Sequence, residues 1–461
     1  MKDSETTTDL AEKRPKNLTA FIVIWLGQFV SVAGSFMTSF ALGIWAWEKT
    51  GSAQALALVG VFTYAPLIIV TPLVGVLVDR WNRKLVMMLS DLGAVLASIT
   101  VFILFTTGRL EIWHIYATTA FASAFQAFQW PAYSATVTLM VPKKHYSRAS
   151  GMISMVESAS NIVGPVLAGS LIGVVGVRGI LLIDILTFFV AIITLLIVII
   201  PQPVVEKTKT SFKKILKDIT FGFKYIFERP GLLGLQLVFF FANFMTVIGW
   251  AVINPMVLAR AGDAQVLGFV QSFAAVGGLV GAVFLMIWGG PKQLVAGILL
   301  GWILNGILGR FLMGITEQPW MWMVSVFLLA FFMPTVNGSS QAIWQKKVPP
   351  NQQGRIFAVR RFIAQITVPI SMGFSGWLAD SVFEPAFQTA DGWGTRLFGN
   401  LVGSGPGAGM SLMIAMSGIL VAAVAIVGTF FRAIRDVEID LPDYDANEES
   451  QSDNLSGNSS D

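Results

Sequence analysis

The chain has 461 residues, of which 54% are hydrophobic and 13% are charged, against about 25% charged residues in an ordinary soluble domain. This composition excludes a water-soluble globular protein and indicates that lipid surrounds most of the chain. The net charge is +4, and with no cysteine and two histidines the chain offers no disulfide, thiolate site or histidine cluster, so we expect no metal and no cofactor.

A polar N-terminal tail, residues 1–18, precedes the first predicted span. Apolar stretches of about 20 residues, the length that crosses the hydrocarbon, then lie near 19–46, 52–78, 85–107, 112–141, 149–173 and 179–200. The first stretch is longer than the apolar region of a signal peptide, about 7–15 residues, so we interpret it as an uncleaved span. We expect an N-terminal six-helix bundle over residues 19–200.

A basic linker over 201–230 follows, with Phe212, Ile215, Leu216, Ile219 and Phe223 at helical spacing. We predict that it forms an amphipathic helix on the cytoplasmic membrane surface. Six more apolar stretches lie near 231–258, 265–288, 293–315, 319–344, 354–379 and 408–431, which predicts a second six-helix bundle over 231–432. Residues 433–461 are acidic and predicted to be disordered. The fold expected is all-α, with twelve transmembrane helices in two bundles.

The distribution of basic residues predicts the orientation. With a cytoplasmic N-terminus, the cytoplasmic segments hold 25 of the 31 lysines and arginines, as the positive-inside rule requires. These residues lie in short loops between spans, which disfavours nucleic-acid binding. We therefore expect a multi-pass monomer in the plasma membrane, with both termini cytoplasmic and the lipid bilayer around it.

A weak internal repeat joins the two predicted bundles. Val141–Arg148 is echoed by Val348–Arg355 at an offset of 207 residues, and Gly169 and Gly376 keep the same offset. Duplicated six-helix halves are typical of alternating-access carriers. A Val-Pro pair is also an ordinary way to end a helix, so the repeat is modest evidence by itself.

The loop after the second span reads Gly75-Val-Leu-Val-Asp79-Arg80-Trp-Asn-Arg83-Lys84. A glycine at position 75 lets two helices approach closely. Asp79 can pair with Arg83 and reach the opposite bundle, so we predict a latch that closes the cytoplasmic side, with Arg80 and Lys84 as further members. The alternative is a basic anchor with an incidental acid.

The fifth span reads Asn161-Ile-Val-Gly164-Pro165-Val-Leu-Ala168-Gly169. Pro165 removes a backbone donor and bends the helix. Ala168 and Gly169 are small enough for close helix packing. The alternative is a plain kink without a role in transport.

Three carboxylates lie inside predicted spans, where a charge is costly and is a functional candidate by default. Glu157 stands one turn before Asn161 and is the first candidate for proton coupling, with Asp184 the second. Asp91 is interpreted as a partner for the basic loop or for a neighbouring helix. The alternative for Glu157 is structural pairing, and for Asp184 it is packing through hydrogen bonds. For Asp91 structural pairing is the favoured interpretation and substrate contact is the alternative. Arg310 is predicted to extend along apolar surface to the membrane interface, with pairing to an anionic group as the alternative.

Uncharged polar and aromatic residues inside the spans predict a wide, mixed cavity that would suit bulky amphiphiles, although each alone is compatible with a helix–helix hydrogen bond. These cavity candidates are Gln28, Gln126, Gln129, Trp130, Asn243, Gln271, Asn337 and Gln341.

The loop motif resembles the hallmark loop of the major facilitator superfamily, with Asn82 in place of its second glycine, and the fifth-span motif resembles the antiporter motif of drug-exporting members. Trp25–Ser31, Phe128–Tyr133 and Gly403–Gly407 are similar to the macrolide-efflux and siderophore-export branch. The resemblance implies a transporter rather than an enzyme, with proton-coupled export of amphiphilic molecules by alternating access. The fourth span lacks the buried arginine of many drug:proton antiporters.

Other functions stay open at this stage. An exporter of an endogenous metabolite or siderophore, a lipid flippase and a non-transporting sensor fit the same fold. A membrane enzyme is disfavoured, since the spans offer no nucleophile with a base and no metal-ligand set.

Overall fold

The computed structural model describes residues 19–78, 82–141, 146–198, 200 and 212–441. Every regular element in these ranges is helical, and ten helices there are long and apolar enough to cross a membrane. The chain is therefore a multi-pass membrane protein. The predicted N-terminal tail, residues 442–461, Asp79 and Arg80 lie outside the described residues. The prediction of disorder is wrong for residues 433–441, which include two short helical segments.

The first five helices are called the N-terminal helix set, residues 19–198. They are α1 Thr19–Thr50, α2 Ala53–Val78, α3 Arg83–Thr106, α4 Ile112–Met140 and α5 Tyr146–Ile197. The predicted spans 149–173 and 179–200 both lie in α5, which turns at Gly176, where φ is 64° and ψ is 178°. That backbone region is open essentially to glycine alone, so one residue joins the two spans.

The amphipathic linker follows as α6 Phe212–Phe227. The C-terminal helix set, residues 230–430, is α7 Pro230–Ala251, α8 Ile253–Ala261, α9 Ala264–Trp288, α10 Leu294–Leu304, α11 Leu312–Ile315, α12 Pro319–Phe331, α13 Met333–Lys347, α14 Pro350–Leu378, α15 Trp393–Val402 and α16 Ala408–Phe430, followed by α17 Arg432–Arg435 and α18 Val437–Asp440. A π-helical segment, Asn305–Phe311, joins α10 to α11, and a second one, Ala379–Phe383, continues α14.

Alternating helix directions give the molecule two ends, which are called outer and inner after the orientation predicted from the sequence. The outer end carries the connections 51–52, 107–111, 262–263, 316–318 and 379–407, and the inner end carries 82, 289–293, 348–349 and α6. Side-chain contacts join the connections within each end. At the outer end Lys49 donates to the Leu110 carbonyl at 2.7 Å, and Arg260 pairs with Glu317 at 3.3 Å.

The buried apolar residues form one core at the outer end that both helix sets share. In the described ranges the inner end has instead separate cores for the two sets. The shared core includes Met37, Phe40, Ile44 and Ala168 from the N-terminal set and Val252, Met256, Leu267 and Met413 from the C-terminal set; the inner cores include Phe21, Met87 and Leu195 in one set and Leu232, Trp302 and Ile343 in the other.

The segment after α16 is fixed to the inner end of the C-terminal set. The Glu438 carboxylate accepts hydrogen bonds from the backbone N–H groups of Leu294 and Val295, at 3.2 and 2.9 Å. These are the first groups of α10, which have no partner inside their own helix. Lys347 in turn donates from Nζ to the Glu438 carbonyl at 2.7 Å. The segment thus caps α10 and holds the end of α13.

Replacing Glu438 by alanine should lower thermal stability. The substitution removes a charged cap from two enclosed N–H groups, a loss of about 1 kcal/mol, and an apparent Tm measured in detergent should fall. Glu228→Ala is the matched control, since Glu228 forms a solvent-exposed pair with Lys224 and such pairs contribute little. Equal Tm values for the two variants would show that the cap does not stabilise the fold.

Candidate functional site

Asp91 lies in a buried polar cluster between three helices of the N-terminal set. The carboxylate is 5% exposed. It accepts a hydrogen bond from Gln28 Nε2 of α1 at 3.1 Å and one from Gln129 Nε2 of α4 at 3.0 Å. Gln129 Nε2 also lies 2.9 Å from Gln28 Oε1. Of the two partners predicted for Asp91, the neighbouring helices are the ones observed.

Asp184 forms a second buried cluster and is 1% exposed. Its carboxylate accepts hydrogen bonds from Ser98 Oγ at 2.9 Å and from Ser35 Oγ at 3.4 Å. Gly34 lies beside it, and a Cβ on that residue would stand 3.1 Å from Asp184 Oδ1. A glycine at this position therefore leaves room for the carboxylate against α1.

The two clusters are stacked along the same pair of helices. Gln28 and Ser35 are seven residues apart on α1, and Asp91 and Ser98 are seven residues apart on α3. Seven residues make about two turns, or roughly 10 Å of rise, and keep both pairs on one face. The α1–α3 contact is thus a buried polar column with a carboxylate at each of two levels.

Arg310 is buried in the C-terminal set, so the prediction that it extends to the interface is wrong. It is 1% exposed and donates from Nη1 to the Asn305 side-chain carbonyl. Both residues belong to the π-helical segment, whose wider turn brings the two side chains together. Asn305 is itself tied to the Leu329 carbonyl of α12.

Arg360 of α14 is a second cation inside the C-terminal set. It donates to Gln341 Oε1 at 2.9 Å and to Ser340 Oγ at 2.8 Å, and it stacks over Trp344 at 5.2 Å from the ring centroid. Gln341, predicted to line a cavity, therefore also has a fixed partner on the neighbouring helix.

The remaining cavity candidates differ in their surroundings. Gln271 donates to Asn254 at 3.2 Å, and Asn243 is half-buried. Gln126 and Asn337 are exposed although they lie well inside α4 and α13. Trp130 and Glu157 are placed in α4 and α5, but their side chains lie outside the described residues.

The fifth-span motif lies where α5 meets two other helices. A Cβ on Gly164 would stand 2.4 Å from the Cβ of Phe36 in α1, so the two helices touch at this glycine. Ala168 is fully buried, whereas Asn161 is exposed. At the start of α9 in the other helix set, Pro165 lies against Gly268, and Gly169 lies against Ala264 and Gln265. The motif is therefore part of the contact between the sets.

The loop motif is described only in part. Gly75 lies in the last turns of α2. Asn82 caps α3 by accepting from the Leu85 N–H group at 3.2 Å. Lys84 donates to the Leu196 and Val198 carbonyls at the end of α5, at 3.1 and 2.9 Å. Lys84 thus binds within its own helix set, and Arg83 begins α3.

A contact that the sequence analysis missed joins the two helix sets at the outer end. Asp380, which follows α14, accepts hydrogen bonds from Ser52 Oγ at 2.5 Å, Ala53 N at 3.0 Å and Gln54 N at 2.9 Å. The Ser52 hydroxyl also accepts from Ala55 N at 3.0 Å, as an N-cap residue does. We call this contact the outer latch.

Close helix packing accompanies the outer latch. A Cβ on Gly376 would stand 2.6 Å from Gln54 Cα and 2.8 Å from Ala57 Cβ, so α14 and α2 touch there. One turn separates Gly376 from Asp380. Ser52 was recognisable in sequence as an N-cap, but its acceptor lies 328 residues away, and no local pattern indicates such a partner.

Comparison with known proteins places this geometry in a family. The family model described as Major Facilitator Superfamily matches residues 24–372. The chain is 27% identical over 366 residues to macrolide efflux protein A of Streptococcus pyogenes, covering 78% of this chain and 90% of that protein. It is 22% identical over 366 residues to the multidrug efflux pump Tap of Mycolicibacterium fortuitum, covering 78% and 89%.

Solved transporter structures share the fold. A bacterial homolog of the human lysosomal transporter Spinster, in an inward-facing and unoccupied conformation, superposes with a TM-score of 0.66 at 14% identity, covering 93% of this chain and 100% of that one. A POT family transporter in complex with 5-aminolevulinic acid gives a TM-score of 0.65 at 12% identity, covering 91% and 98%.

Breaking the outer latch should expose the seam between the helix sets. Because the chain has no cysteine, Met372→Cys provides a single thiol in the α2–α14 contact, where Met372 is 5% exposed. Adding Asp380→Ala removes charge-assisted hydrogen bonds of about 1.5–3 kcal/mol, so the thiol should react with a water-soluble maleimide roughly tenfold faster in detergent.

Asp391→Ala in the same background is the control, since Asp391 is an exposed acid in the same connection. Its labelling rate should equal that of Met372→Cys alone. Unchanged labelling in the Asp380→Ala variant would contradict a latch role for this carboxylate.

Proposed function

Because the chain belongs to the Major Facilitator Superfamily, we propose that it is a secondary active transporter that exports amphiphilic small molecules, macrolide-type compounds among them, in exchange for protons. Its family match over residues 24–372 carries the transporter assignment. The substrate class and the direction rest on the relatives, one a macrolide efflux protein and one a multidrug efflux pump.

The proposed architecture is twelve spans in two six-helix bundles. The turn at Gly176 divides α5 into two arms, each long enough to be a span. The N-terminal set then supplies six spans, and the C-terminal set supplies six more from α7–α8 to α16. The proposed location is the plasma membrane. Since basic residues concentrate in the inner connections, both termini are assigned to the cytoplasmic side.

The observation that best supports alternating access is the asymmetry between the two ends. The helix sets share an apolar core and the outer latch at one end, while their described inner cores are separate. Two rigid bodies joined at one end and apart at the other match the inward-open state of a carrier. Transport then requires the outer seam to open and the inner ends to meet.

The buried carboxylates are the proposed proton carriers. Asp91 and Asp184 lie two turns apart in the polar column, and Glu157 is a third candidate from the sequence. Both Asp91 oxygens accept amide N–H groups, so the anionic form is satisfied. Gln129 Oε1 is buried and has no donor within the described part of the chain. If this amide rotated, Gln129 Oε1 could accept a hydrogen bond from the protonated carboxyl group of Asp91.

Protonation would thereby change the contacts between α1, α3 and α4. A carboxylate that gains a proton loses one acceptor and gains one donor, and the surrounding hydrogen bonds must rearrange. The three helices all belong to the N-terminal set. The change would therefore occur within the helix set that is proposed to move relative to the C-terminal set. This is the physical link proposed between proton binding and conformation.

The substrate is proposed to bind between the helix sets. The exposed amides Gln126, Asn161 and Asn337 lie within spans, and a polar group facing hydrocarbon without a partner is costly. A water-filled cleft between the sets explains their exposure. The exposed face would combine these amides with apolar surface, which suits a bulky molecule with few charges.

Asp91→Asn should abolish proton-driven export. An asparagine cannot release a proton, but it keeps the size of the aspartate, so the fold should be retained. In efflux-deficient cells, the unmodified protein should lower accumulation of a labelled macrolide, and a protonophore should reverse this. The efflux rate of the variant should be about tenfold lower than that of the unmodified protein, so accumulation should stay near the empty-vector value.

Asp263→Asn is the matched control, since Asp263 caps α9 at the outer end and asparagine is an equally good cap. It should export normally. Full protonophore-sensitive export by Asp91→Asn would exclude Asp91 as the carrier and leave the exporter proposal intact. No export of any amphiphile by the unmodified protein would overturn the proposed substrate class.

A further inference from the structure

The connection between α14 and α16 contains a short helix, α15, that the sequence analysis did not predict. One side of α15 packs on the protein through Gly394, Phe398 and Val402, which lie against Phe387 and Leu412. The helix also contacts α11, so it rests on the outer ends of the ninth and twelfth predicted spans. It is therefore fixed at the outer edge of the molecule.

The other side of α15 carries an apolar stripe that stays largely exposed among the described residues. Trp393, Leu397 and Leu401 are 45%, 72% and 42% exposed. Their spacing of four residues places them along one stripe of the helix surface. Arg396 and Asn400 are also exposed and lie on the side of the stripe that faces away from the protein.

The residues thus occupy three sectors in order around the helix axis. The packed sector meets the protein, the apolar stripe comes next, and Arg396 with Asn400 forms the third sector. A helix lying flat at a membrane edge has this order, because protein, acyl chains and water surround it in turn. Tryptophan is moreover favoured at the membrane–water interface, where one side of its ring is apolar.

Exposed apolar side chains also lie on the spans of the same helix set. Trp320 at the start of α12, also at the outer end, is 61% exposed, and Ile419 on α16 is 48% exposed. Exposed apolar side chains on spans face acyl chains. Since α15 lies against the first turns of α16 and against α11, its stripe faces the same medium at the level where the spans end.

We propose that α15 lies in the outer membrane–water interface, with Trp393, Leu397 and Leu401 inserted among the lipids and Arg396 and Asn400 facing the headgroups and water. The occupant of the stripe is thus a lipid leaflet. This inference does not depend on the substrate or on proton coupling.

The lipid contact has a consequence for the outer latch. Asp380 lies at one end of the connection 379–407, and Glu384 accepts from the Gly407 and Met410 N–H groups at its other end, at 3.1 and 2.8 Å. Trp393 packs edge-on against Phe383, with ring centroids 6.0 Å apart. Lipid that holds α15 in place therefore also restrains the segment that carries Asp380.

The absence of cysteine allows a direct test by single nitroxide labels. Leu397→Cys and Asn400→Cys are each labelled in the full chain, reconstituted in vesicles of phosphatidylcholine and phosphatidylglycerol. Both positions are exposed, so neither label should disturb the fold. Accessibility to oxygen, which concentrates in lipid, is compared with accessibility to a water-soluble nickel complex by power-saturation electron paramagnetic resonance.

The label at 397 should be at least several-fold more accessible to oxygen than to the nickel complex, and the label at 400 should show the reverse preference. Higher nickel accessibility at 397 would mean that the stripe faces water and would overturn the proposal. Protection of the 397 label from both reagents would also overturn it, because a protein surface such as a second copy of the chain would then cover the stripe.

Discussion

The start of α2 imposes a constraint on how the two helix sets meet. Its first N–H groups have no acceptor inside the helix, and they are enclosed by α14 of the other set. The Asp380 carboxylate accepts from the N–H groups of Ala53 and Gln54, and it also accepts from the Ser52 hydroxyl. Around this contact the sets share an apolar core. Hydrogen bonds and packing thus join the two sets at one end of the molecule, whereas the described inner cores are separate.

Buried charges are divided between the two helix sets. In the described spans, the N-terminal set buries Asp91 and Asp184, and the C-terminal set buries Arg310 and half-buries Arg360. Their side-chain partners are amides and hydroxyls rather than opposite charges, on neighbouring helices except for Asn305, which shares the π-helical segment with Arg310. Neutral partners satisfy the hydrogen bonds of a charge without cancelling it. In the described spans each set therefore buries ionisable groups of one sign.

Small residues decide how closely the spans approach. Gly164 lets α5 touch α1, and Gly376 lets α14 touch α2. The sequence analysis predicted close packing in the fifth-span motif, and the structure places that packing at the contact between the helix sets. Gly169 and Gly376, which share the repeat offset, both contact the opposite set. Both of these glycines thus lie at the contact between the helix sets.

The sequence by itself determined the multi-pass membrane class, because hydrocarbon thickness and the cost of buried charge act on each segment locally. It further predicts twelve spans and their orientation. It also indicated Asp91, Asp184, Gln28 and Gln129 as candidates. Only the tertiary structure decided which of these meet: Asp91 joins two amides from other helices, Arg310 is buried, and Asp380 caps a helix 328 residues away. Such partners depend on helix rotation and packing, which residue spacing within one helix does not specify.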